Sequence, residues 1–195
     1  RDVGVETGSI RTVPQVPTGL AIITTGEKDN TIIVVAGAND CVDIAYVESV
    51  RKRILGCELI LLQNEIPQET IAYVISLCRT NGVKVLLNPG PARPISPELI
   101  EQLTYITPNE HEAAILFGQE RSFEELMMQY PEKLVITQGS RGVSTCLKTG
   151  ALLHIPARKA NVVDTTGAGD TLNGAFAAAI IRGYSMEKAL LYANT

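Results

Sequence analysis

The chain has 195 residues, 45% of them hydrophobic and 19% charged, so it can bury enough apolar surface for one compact unit, which excludes a disordered protein. The formal net charge of -4 excludes the positive field that holds nucleic acid or an anionic membrane surface, so neither is an expected partner. No apolar run approaches the roughly 20 residues of a membrane span. The four cysteines lie far apart, unlike those of a zinc site or a secreted disulfide framework, and predict a cytoplasmic location.

The first regular pattern in the chain is a predicted β-hairpin. Residues 18–24 and 31–36 are β-branched and apolar, and the turn-forming residues 26–30 separate them. After residue 39, apolar runs alternate with helical patterns, which is typical of an open α/β sheet. Four of these runs predict strands, at residues 59–62, 83–87, 105–107 and 134–137. Because several runs are unbroken, as in strands buried on both faces, the sheet is expected to be mostly parallel.

Helical spacing and local start and stop signals predict the helices between these strands. The signals are Pro67 before and Asn81-Gly82 after residues 71–78, Ser96-Pro97 at a second helix, and Ser122 with Glu125 at a third. Ligands of such a sheet usually bind at the carboxyl ends of the strands. The loops that follow strands are therefore expected to carry the function.

The sharpest functional feature is the segment Asp164-Thr165-Thr166-Gly167-Ala168-Gly169-Asp170, which follows two valines and precedes apolar residues at helical spacing. This pattern predicts a turn that opens a helix. The small residues 167–169 let a phosphate approach backbone N–H groups that the helix leaves unpaired, where the helix dipole also stabilises negative charge. Asp170 falls in the first turn, beside the expected phosphate, where an aspartate can accept the proton of an attacking alcohol.

The same residues have a plainer interpretation. The glycines could simply make a tight strand-to-helix turn, with Asp170 as a first-turn acid favoured by the helix dipole. Two other nucleotide motifs are excluded. The glycines at 167, 169 and 174 miss the dinucleotide-binding spacing, and no Gly-Lys-Ser/Thr sequence completes a P-loop.

Segment 164–170 closely resembles the second signature of the ribokinase, or phosphofructokinase-B type, sugar kinases. That family has three further motifs, and all three occur here in the same order. They are Glu65 in Leu61-Leu62-Gln63-Asn64-Glu65-Ile66-Pro67, Asn109 and Glu112 in Thr107-Pro108-Asn109-Glu110-His111-Glu112, and the loop Thr137-Gln138-Gly139-Ser140-Arg141-Gly142. Residues 36–39 and 88–92 are also similar to ribokinase stretches, so the resemblance extends over nearly the whole chain.

The resemblance implies a ribokinase-like α/β fold: an open, mostly parallel sheet flanked by helices, with a partial β lid. It also implies transfer of a phosphoryl group from ATP to the primary hydroxyl of a small sugar. D-ribose is the first candidate, and fructose, adenosine or another nucleoside are the alternatives. A different class, which ATP binding without sugar phosphorylation would favour, is a non-catalytic nucleotide-binding or assembly module.

The resemblance assigns a role to each motif. Asp170 would be the catalytic base, Gly167, Ala168 and Gly169 the anion hole, and Glu65 with Asp170 the sugar contacts. Glu112 would hold Mg²⁺ through water, and Asp164 with the Thr166 carbonyl would bind a monovalent cation such as K⁺. ATP would bind to Asn109, Thr137, Gln138, Gly139, Ser140, Arg141, Gly142, Gly169 and Asn194.

Three of these motifs also have a structural interpretation. Glu65 could be a solvated loop acid, and Asn109 could cap the helix that follows it. Residues 139–142 could be an ordinary hairpin turn before the next strand. Taken singly, such short motifs match by chance often enough that both interpretations stay open.

The chain departs from the family at the sugar site, because the family's first signature and an early aspartate are both absent. Residues 12–39 resemble only the later part of the family's β lid, and residues 40–195 resemble its α/β core. We therefore expect one incomplete domain, a fragment that begins at Arg1 instead of a methionine and has no helix stop signal after Ser185. Its unpaired lid strands predict a homodimer through the lid and poor kinase activity of the isolated chain.

Overall fold

The fold places helices on both sides of a central sheet. The structure, a computed structural model, describes residues 3–25, 30–159, 161 and 164–194. Its strands are β1 (Leu20–Thr25), β2 (Asn30–Val35), β3 (Leu59–Gln63), β4 (Lys84–Asn88), β5 (Tyr105–Ile106), β6 (Val135–Thr137), β7 (Val143–Cys146) and β8 (Leu152–Ile155). Its helices are α1 (Ile44–Ile54), α2 (Gln68–Thr80), α3 (Pro97–Gln102), α4 (Glu110–Phe117), α5 (Phe123–Gln129), α6 (Ala168–Ile181) and α7 (Met186–Ala193). Among the described residues, no helix is both long and apolar enough to cross a membrane.

The central sheet combines a parallel and an antiparallel part. Strands β3, β4 and β5 pair in parallel in that order, as the unbroken apolar runs predict. Parallel bridges from Ile106 to Leu134 and from Asn109 to Thr137 place β6 beside β5. Strands β6, β7 and β8 then continue as antiparallel neighbours. The carboxyl ends of β3 to β6 therefore lie along one edge, where the sequence motifs follow the strands.

The sequence patterns do not predict strand β8, and they anticipate β7 only through the hairpin-turn interpretation of residues 139–142. Polar residues interrupt both strands, so neither is an unbroken apolar run. All of β7 is nevertheless buried, because strands pair with it on both sides and the Thr145 hydroxyl donates to the Leu134 carbonyl at 2.8 Å. Residues 139–142 connect β6 to β7, so the hairpin-turn interpretation of this loop is correct as a description of its backbone.

Two hydrophobic clusters cover the two faces of this sheet. In β4, Val85 and Leu87 belong to one cluster and Leu86 to the other, and all three are at most 1% exposed. The first cluster draws on α1 to α5, and the second on α6 and α7. Full burial of a side chain such as Leu86 contributes about 1.5–3 kcal/mol. Packing from both sides therefore holds β4 firmly and fixes where its following loop begins.

The helices begin at the predicted signals. The Ser96 hydroxyl accepts from the Leu99 N–H at 3.3 Å, and Ser122 with Glu125 forms a complete capping box. Helix α2 starts directly after Pro67 and ends before Asn81-Gly82, as predicted. Each side-chain cap stabilises its helix by about 0.5–2 kcal/mol. These local bonds explain why the helix boundaries can be read from sequence alone.

Strands β1 and β2 form the predicted hairpin in antiparallel register. Most of the predicted turn, residues 26–29, lies outside the described residues. Apolar side chains are exposed along both strands, namely Leu20, Ile22, Ile23, Ile33, Val34 and Val35. An exposed apolar pair of strands is a surface that another chain can cover.

Candidate active site

Segment 164–170 forms the predicted turn and helix start. Gly167 is the N-cap of α6 and has φ +74°, a left-handed conformation that glycine adopts without steric cost. The Ala168 N–H donates to the Thr165 carbonyl at 3.1 Å, whereas the Gly169 and Asp170 N–H groups donate to no backbone carbonyl among the described residues. These two amides can therefore bind an anion directly, while the Ala168 amide would first have to leave Thr165. The two valines before the segment lie outside the described residues.

A cleft of about 1040 Å³ opens beside this helix start. The size is typical of small-molecule binding sites. Segment 164–172 lines it together with the loop after β6, the segment after β8 and the end of α7. The predicted residues in its lining are Thr137, Gly139, Ser140, Gly142, Asp164, Ala168, Gly169 and Asn194. Motifs that lie far apart in the sequence therefore share one cleft, and Asp170 stands exposed at the α6 start that borders it.

The loop after β6 packs its backbone against the end of β8. Gly142 has φ +107°, and a Cβ built on it would lie 2.0 Å from the Ile155 carbonyl oxygen, so only glycine fits there. Gly139 also has a positive φ, of +55°, but a Cβ there would meet nothing within 4 Å. The Gln138 N–H donates to the Gly142 carbonyl at 2.8 Å and closes the loop.

The side chains of Gln138 and Arg141 lie outside this cleft. They line a separate depression of about 590 Å³, and both donate to the carboxylate of Glu110 at the start of α4. In this structure their side chains are thus bonded within the chain, and the expectation that these two residues bind ATP remains a prediction.

Asn109 and Glu112 form a capping box at the start of α4. Asn109 Oδ1 accepts from the Glu112 N–H, and Glu112 Oε2 accepts from the Asn109 N–H, both at 2.8 Å. The structural interpretation of Asn109 as a cap is therefore correct. The bridge between Asn109 and Thr137, which lines the cleft, sets the capping box next to it, although neither Asn109 nor Glu112 lines the cleft. The second carboxylate oxygen, Glu112 Oε1, would lie 3.1 Å from a Cβ built on Gly90.

The donor set around Glu112 bears on the expected magnesium ion. Within the described residues, no group of three or more histidine, cysteine, aspartate or glutamate side chains could hold a metal. Mg²⁺ is usually bound through one or two carboxylates, several waters and the phosphates of its substrate. The described residues therefore offer no such group that would hold an ion by the protein alone. A magnesium ion that arrives with a nucleotide needs few protein ligands, so Glu112 fits as a single ligand through water, and this assignment remains a prediction.

Asp164 keeps a negative charge in the turn that precedes α6. Its Oδ1 accepts from the Thr166 N–H at 2.9 Å and from the Thr166 hydroxyl at 2.8 Å. These bonds, that of the backbone N–H first, lower the pKa of the Asp164 carboxyl below its ordinary value. Asp164 is therefore ionised at neutral pH. The resemblance places the monovalent cation at this carboxylate and the Thr166 carbonyl, and that assignment remains a prediction.

A buried hydrogen bond ties the sheet edge to α6. The Thr107 hydroxyl, at the end of β5, donates to Asn173 Oδ1 at 2.6 Å, and both residues are 1% exposed. The Asn88 side chain, at the end of β4, donates to the Thr107 carbonyl at 3.0 Å. Asn173 lies three residues after Asp170, so the two share one face of α6. The bond therefore fixes the first turns of α6 against the carboxyl end of β5, two residues before Asn109.

Replacing Asn173 by alanine is expected to lower the free energy of unfolding by about 1–3 kcal/mol, because the buried Thr107 hydroxyl loses its acceptor. Replacing both residues, as Thr107→Val with Asn173→Ala, is expected to cost less than the sum of the two single changes, since it leaves no polar group unpaired. Urea unfolding of the single and double variants measures both effects. Strictly additive losses would contradict this account of the bond.

Glu65 lies in the exposed turn after β3. The neighbouring Asn64 is 1% exposed, and its side chain donates to the carbonyls of Pro89 and Pro91 at 3.0 and 3.1 Å. The turn of Glu65 is thereby fixed to the loop after β4, which also passes beside Glu112 at Gly90. Glu65 does not line the cleft, so its sugar contact remains a prediction.

Asn194 lines the cleft at the end of α7, but its side-chain nitrogen is used within the chain. It donates to the carbonyls of Ile155 and Pro156 at 3.1 and 2.8 Å. The side chain thus joins α7 to the end of β8. Its carbonyl oxygen is the atom left for the expected contact near adenine.

Comparison with known proteins gives the family. The model of the pfkB family carbohydrate kinases matches residues 1–195. The chain belongs to this family. It is 44% identical over 191 residues to the ribokinase of Bacillus subtilis, covering 98% of this chain and 64% of that protein. It is 45% identical over 183 residues to the ribokinase of Lactococcus lactis, covering 93% and 60%.

Solved structures of the pfkB family confirm the predicted fold. The Arabidopsis thaliana ribokinase complexed with ribose and ATP is 30% identical and superposes with a TM-score of 0.85, covering 98% of this chain and 65% of that one. The expected ribokinase-like α/β fold is therefore correct. The chain spans about 60–65% of the length of these relatives.

Two basic residues of this pfkB family chain line the cleft without belonging to any predicted motif. Arg158 and Lys159 follow β8, are exposed, and form no ion pair with a described residue. Their only sequence signal is an adjacent pair of positive charges shortly before the turn that opens α6, in a chain that is acidic overall. Asn173 is another residue that no sequence motif indicates, because an asparagine inside an apolar helical pattern gives no sign of its hydrogen-bond partner.

Proposed function

We propose that the whole protein carrying this chain transfers a phosphoryl group from ATP to the primary hydroxyl of a small sugar, with D-ribose as the first candidate. The observation that carries the proposal is the cleft in which the start of α6 meets the loop after β6. The identities of 44% and 45% to two ribokinases support ribose over fructose or a nucleoside. Family membership supports the reaction class.

In this proposal the start of α6 binds the phosphate that is transferred. The Gly169 amide and the positive end of the helix dipole stabilise charge on the phosphoryl oxygens, and Gly167 gives the turn its left-handed conformation. Asp170, in the same first turn, accepts the proton of the sugar hydroxyl as that oxygen attacks phosphorus. Arg158 and Lys159, in the segment of the cleft lining that follows β8, neutralise further phosphate charge.

The cofactors follow from the donor atoms. A magnesium ion bound with ATP would be held through water by Glu112 and would neutralise phosphate charge. The ionised Asp164 and the Thr166 carbonyl would bind K⁺ beside the anion-binding turn. Thr137, Gly139, Ser140 and Gly142 would contact the nucleotide from the cleft wall, and Asn194 would lie near adenine.

The sugar site needs residues beyond those that form this cleft. Glu65 stands at the same sheet edge, within the turn that Asn64 fixes to the loop after β4. We propose that the lid and the remaining sugar contacts come from parts of the whole protein that correspond to the other 35–40% of the relatives' length. The exposed apolar faces of β1 and β2 support association of two chains through the lid.

The full-length protein is expected to phosphorylate D-ribose with ATP and Mg²⁺, and to phosphorylate fructose and adenosine with a much lower kcat/KM. A coupled assay of ADP release with each acceptor measures this. Identification of the product as the 5-phosphate ester tests the position of attack. Adding the chelator EDTA is the metal-removal control and is expected to abolish turnover.

Two outcomes would contradict the proposal in different ways. A preference for fructose or a nucleoside over ribose would leave the proposed kinase activity standing but would show that ribose is not its acceptor. Tight ATP binding without phosphorylation of any acceptor would overturn the kinase and favour a nucleotide-binding module.

A further inference from the structure

A series of side-chain hydrogen bonds runs from the start of α4 to strand β8. Gln138 Nε2 donates to Glu110 Oε1 at 3.3 Å, and the Ser144 hydroxyl donates to Gln138 Oε1 at 2.7 Å. His154 Nδ1 lies 2.9 Å from Ser144 Oγ, opposite it in the register of β7 and β8. The four side chains therefore join four separate segments of the fold.

The direction of each bond follows from the groups involved. Because the Gln138 amide nitrogen donates to a carboxylate, its carbonyl oxygen is the acceptor for the Ser144 hydroxyl. The hydroxyl hydrogen is then used, so Ser144 Oγ accepts from His154, which carries a hydrogen on Nδ1. Every donor in the series points towards Glu110. Bonds in such a series polarise one another, and those that end on an ionised group are the strongest.

The series acts on the loop after β6 through Gln138. The backbone N–H of Gln138 donates to the Gly142 carbonyl at 2.8 Å, and the backbone carbonyl of Gln138 accepts from the Arg141 N–H at 3.1 Å. The side chain of Gln138 is held by Glu110 on one side and Ser144 on the other, so the loop cannot tilt without breaking one of these bonds. Residues 139, 140 and 142 line the cleft, whereas His154 lines the separate depression.

We propose that Ser144 and His154 are positioning residues for nucleotide binding, which hold the Gln138 side chain and thereby fix the 139–142 loop relative to the start of α4. The inference rests on the proposed function, because it takes the loop to bind an adenine nucleotide. Neither residue lines the cleft, so both act through Gln138. The sequence motifs include Gln138 but give no reason to connect it with a histidine 16 positions later.

Ser144→Ala removes the central link of the series. It is expected to raise the dissociation constant and KM for ATP ~3- to 10-fold, the loss that one broken hydrogen bond with an unpaired partner would give. The value of kcat and the KM for the sugar should stay within about twofold of the parent, because the loop holds the nucleotide equally in the ground and transition states. A purely structural role would lower the melting temperature without this split between KM and kcat.

The variants of His154 include a rescue, and a variant of Leu152 supplies the control. His154→Leu should raise the KM for ATP as Ser144→Ala does, and the double variant should resemble Ser144→Ala alone, since both changes break the same series. His154→Asn, whose amide can donate from a position near Nδ1, should restore the parent value. Leu152→Ala changes an exposed apolar residue of β8 in the same depression and should leave the KM for ATP unchanged.

Calorimetric ATP titration and steady-state kinetics on the full-length protein and its variants decide the matter. An unchanged KM for ATP in Ser144→Ala, or no difference between His154→Leu and His154→Asn, overturns the inference and leaves the kinase proposal intact. If Ser144→Ala does not fold, the two variants of the exposed His154 decide alone. A parent protein that binds no ATP overturns the proposed function and, with it, this inference.

Discussion

Asp170→Asn is expected to lower kcat by at least ~10²–10⁴-fold in the full-length protein with ATP, Mg²⁺ and ribose, which is the usual contribution of a positioned general base. The substitution keeps the size of the side chain and removes the proton acceptor. Affinity for ATP should stay near that of the parent, because the Gly169 amide and the lining of the cleft are unchanged. Steady-state kinetics and calorimetric titration measure the two quantities separately.

A matched control separates catalysis from helix stability. Glu187 is also an exposed acid in the first turn of a helix, α7, but α7 meets the cleft only at its other end, at Ala193 and Asn194. Glu187→Gln should lower stability by typically about 0.3–1 kcal/mol, as loss of a helix-start charge does, and should leave kcat unchanged. A folded Asp170→Asn protein with the kcat of Glu187→Gln would show that Asp170 is not the base.

The helix starts and the parallel strands could be predicted because local chemistry determines them. Ser96 and Ser122 bond to amides three residues away, so the signal and its effect lie in the same short segment. The runs that became β3 and β4 are apolar on both faces because helices cover both faces of the sheet. Pattern and structure agree wherever the stabilising contacts are close in the sequence.

The antiparallel strands and the tie to α6 depend on partners that are distant in the sequence. The hydroxyls of Ser144 and Thr145 make β7 look like a loop, yet they are bonded to Gln138 and to Leu134. Asn173 is buried only because Thr107, 66 positions earlier, supplies its partner. No periodic pattern encodes such pairs, so sequence reasoning recovers the motifs but not the contacts that hold them in place.

The loop after β6 is compatible with both interpretations of its motif, although only the hairpin turn is observed directly. Its backbone is a hairpin turn, and three of its residues also line the cleft. Its side chains at Gln138 and Arg141 serve the fold through Glu110, which the resemblance did not anticipate. A family motif therefore indicates which segments lie close together but not which partner each side chain has.

Gly142→Ala is expected to cause the largest loss of stability of any single change in the cleft. The added Cβ would lie 2.0 Å from the Ile155 carbonyl oxygen and 2.7 Å from the Ala157 nitrogen, and both are backbone atoms that cannot rotate away. Strain at a positive φ costs about 1–3 kcal/mol and overpacking typically another 1–3 kcal/mol, so the free energy of unfolding should fall by about 2–6 kcal/mol. Urea unfolding measures the loss.

Comparison with Gly139→Ala in the same loop separates the cost of backbone strain from the cost of steric overlap. Its φ of +55° is also left-handed, but a Cβ there meets nothing within 4 Å, so only the backbone cost of roughly 1–2 kcal/mol applies. Equal losses for the two variants would refute the close packing of Gly142 on β8. If Gly142→Ala folds, the end of β8 must move away from the loop, and Ala157, which lines the cleft, must move with it. ATP affinity should then fall further in Gly142→Ala than in Gly139→Ala, which links the packing of one glycine to the width of the nucleotide cleft.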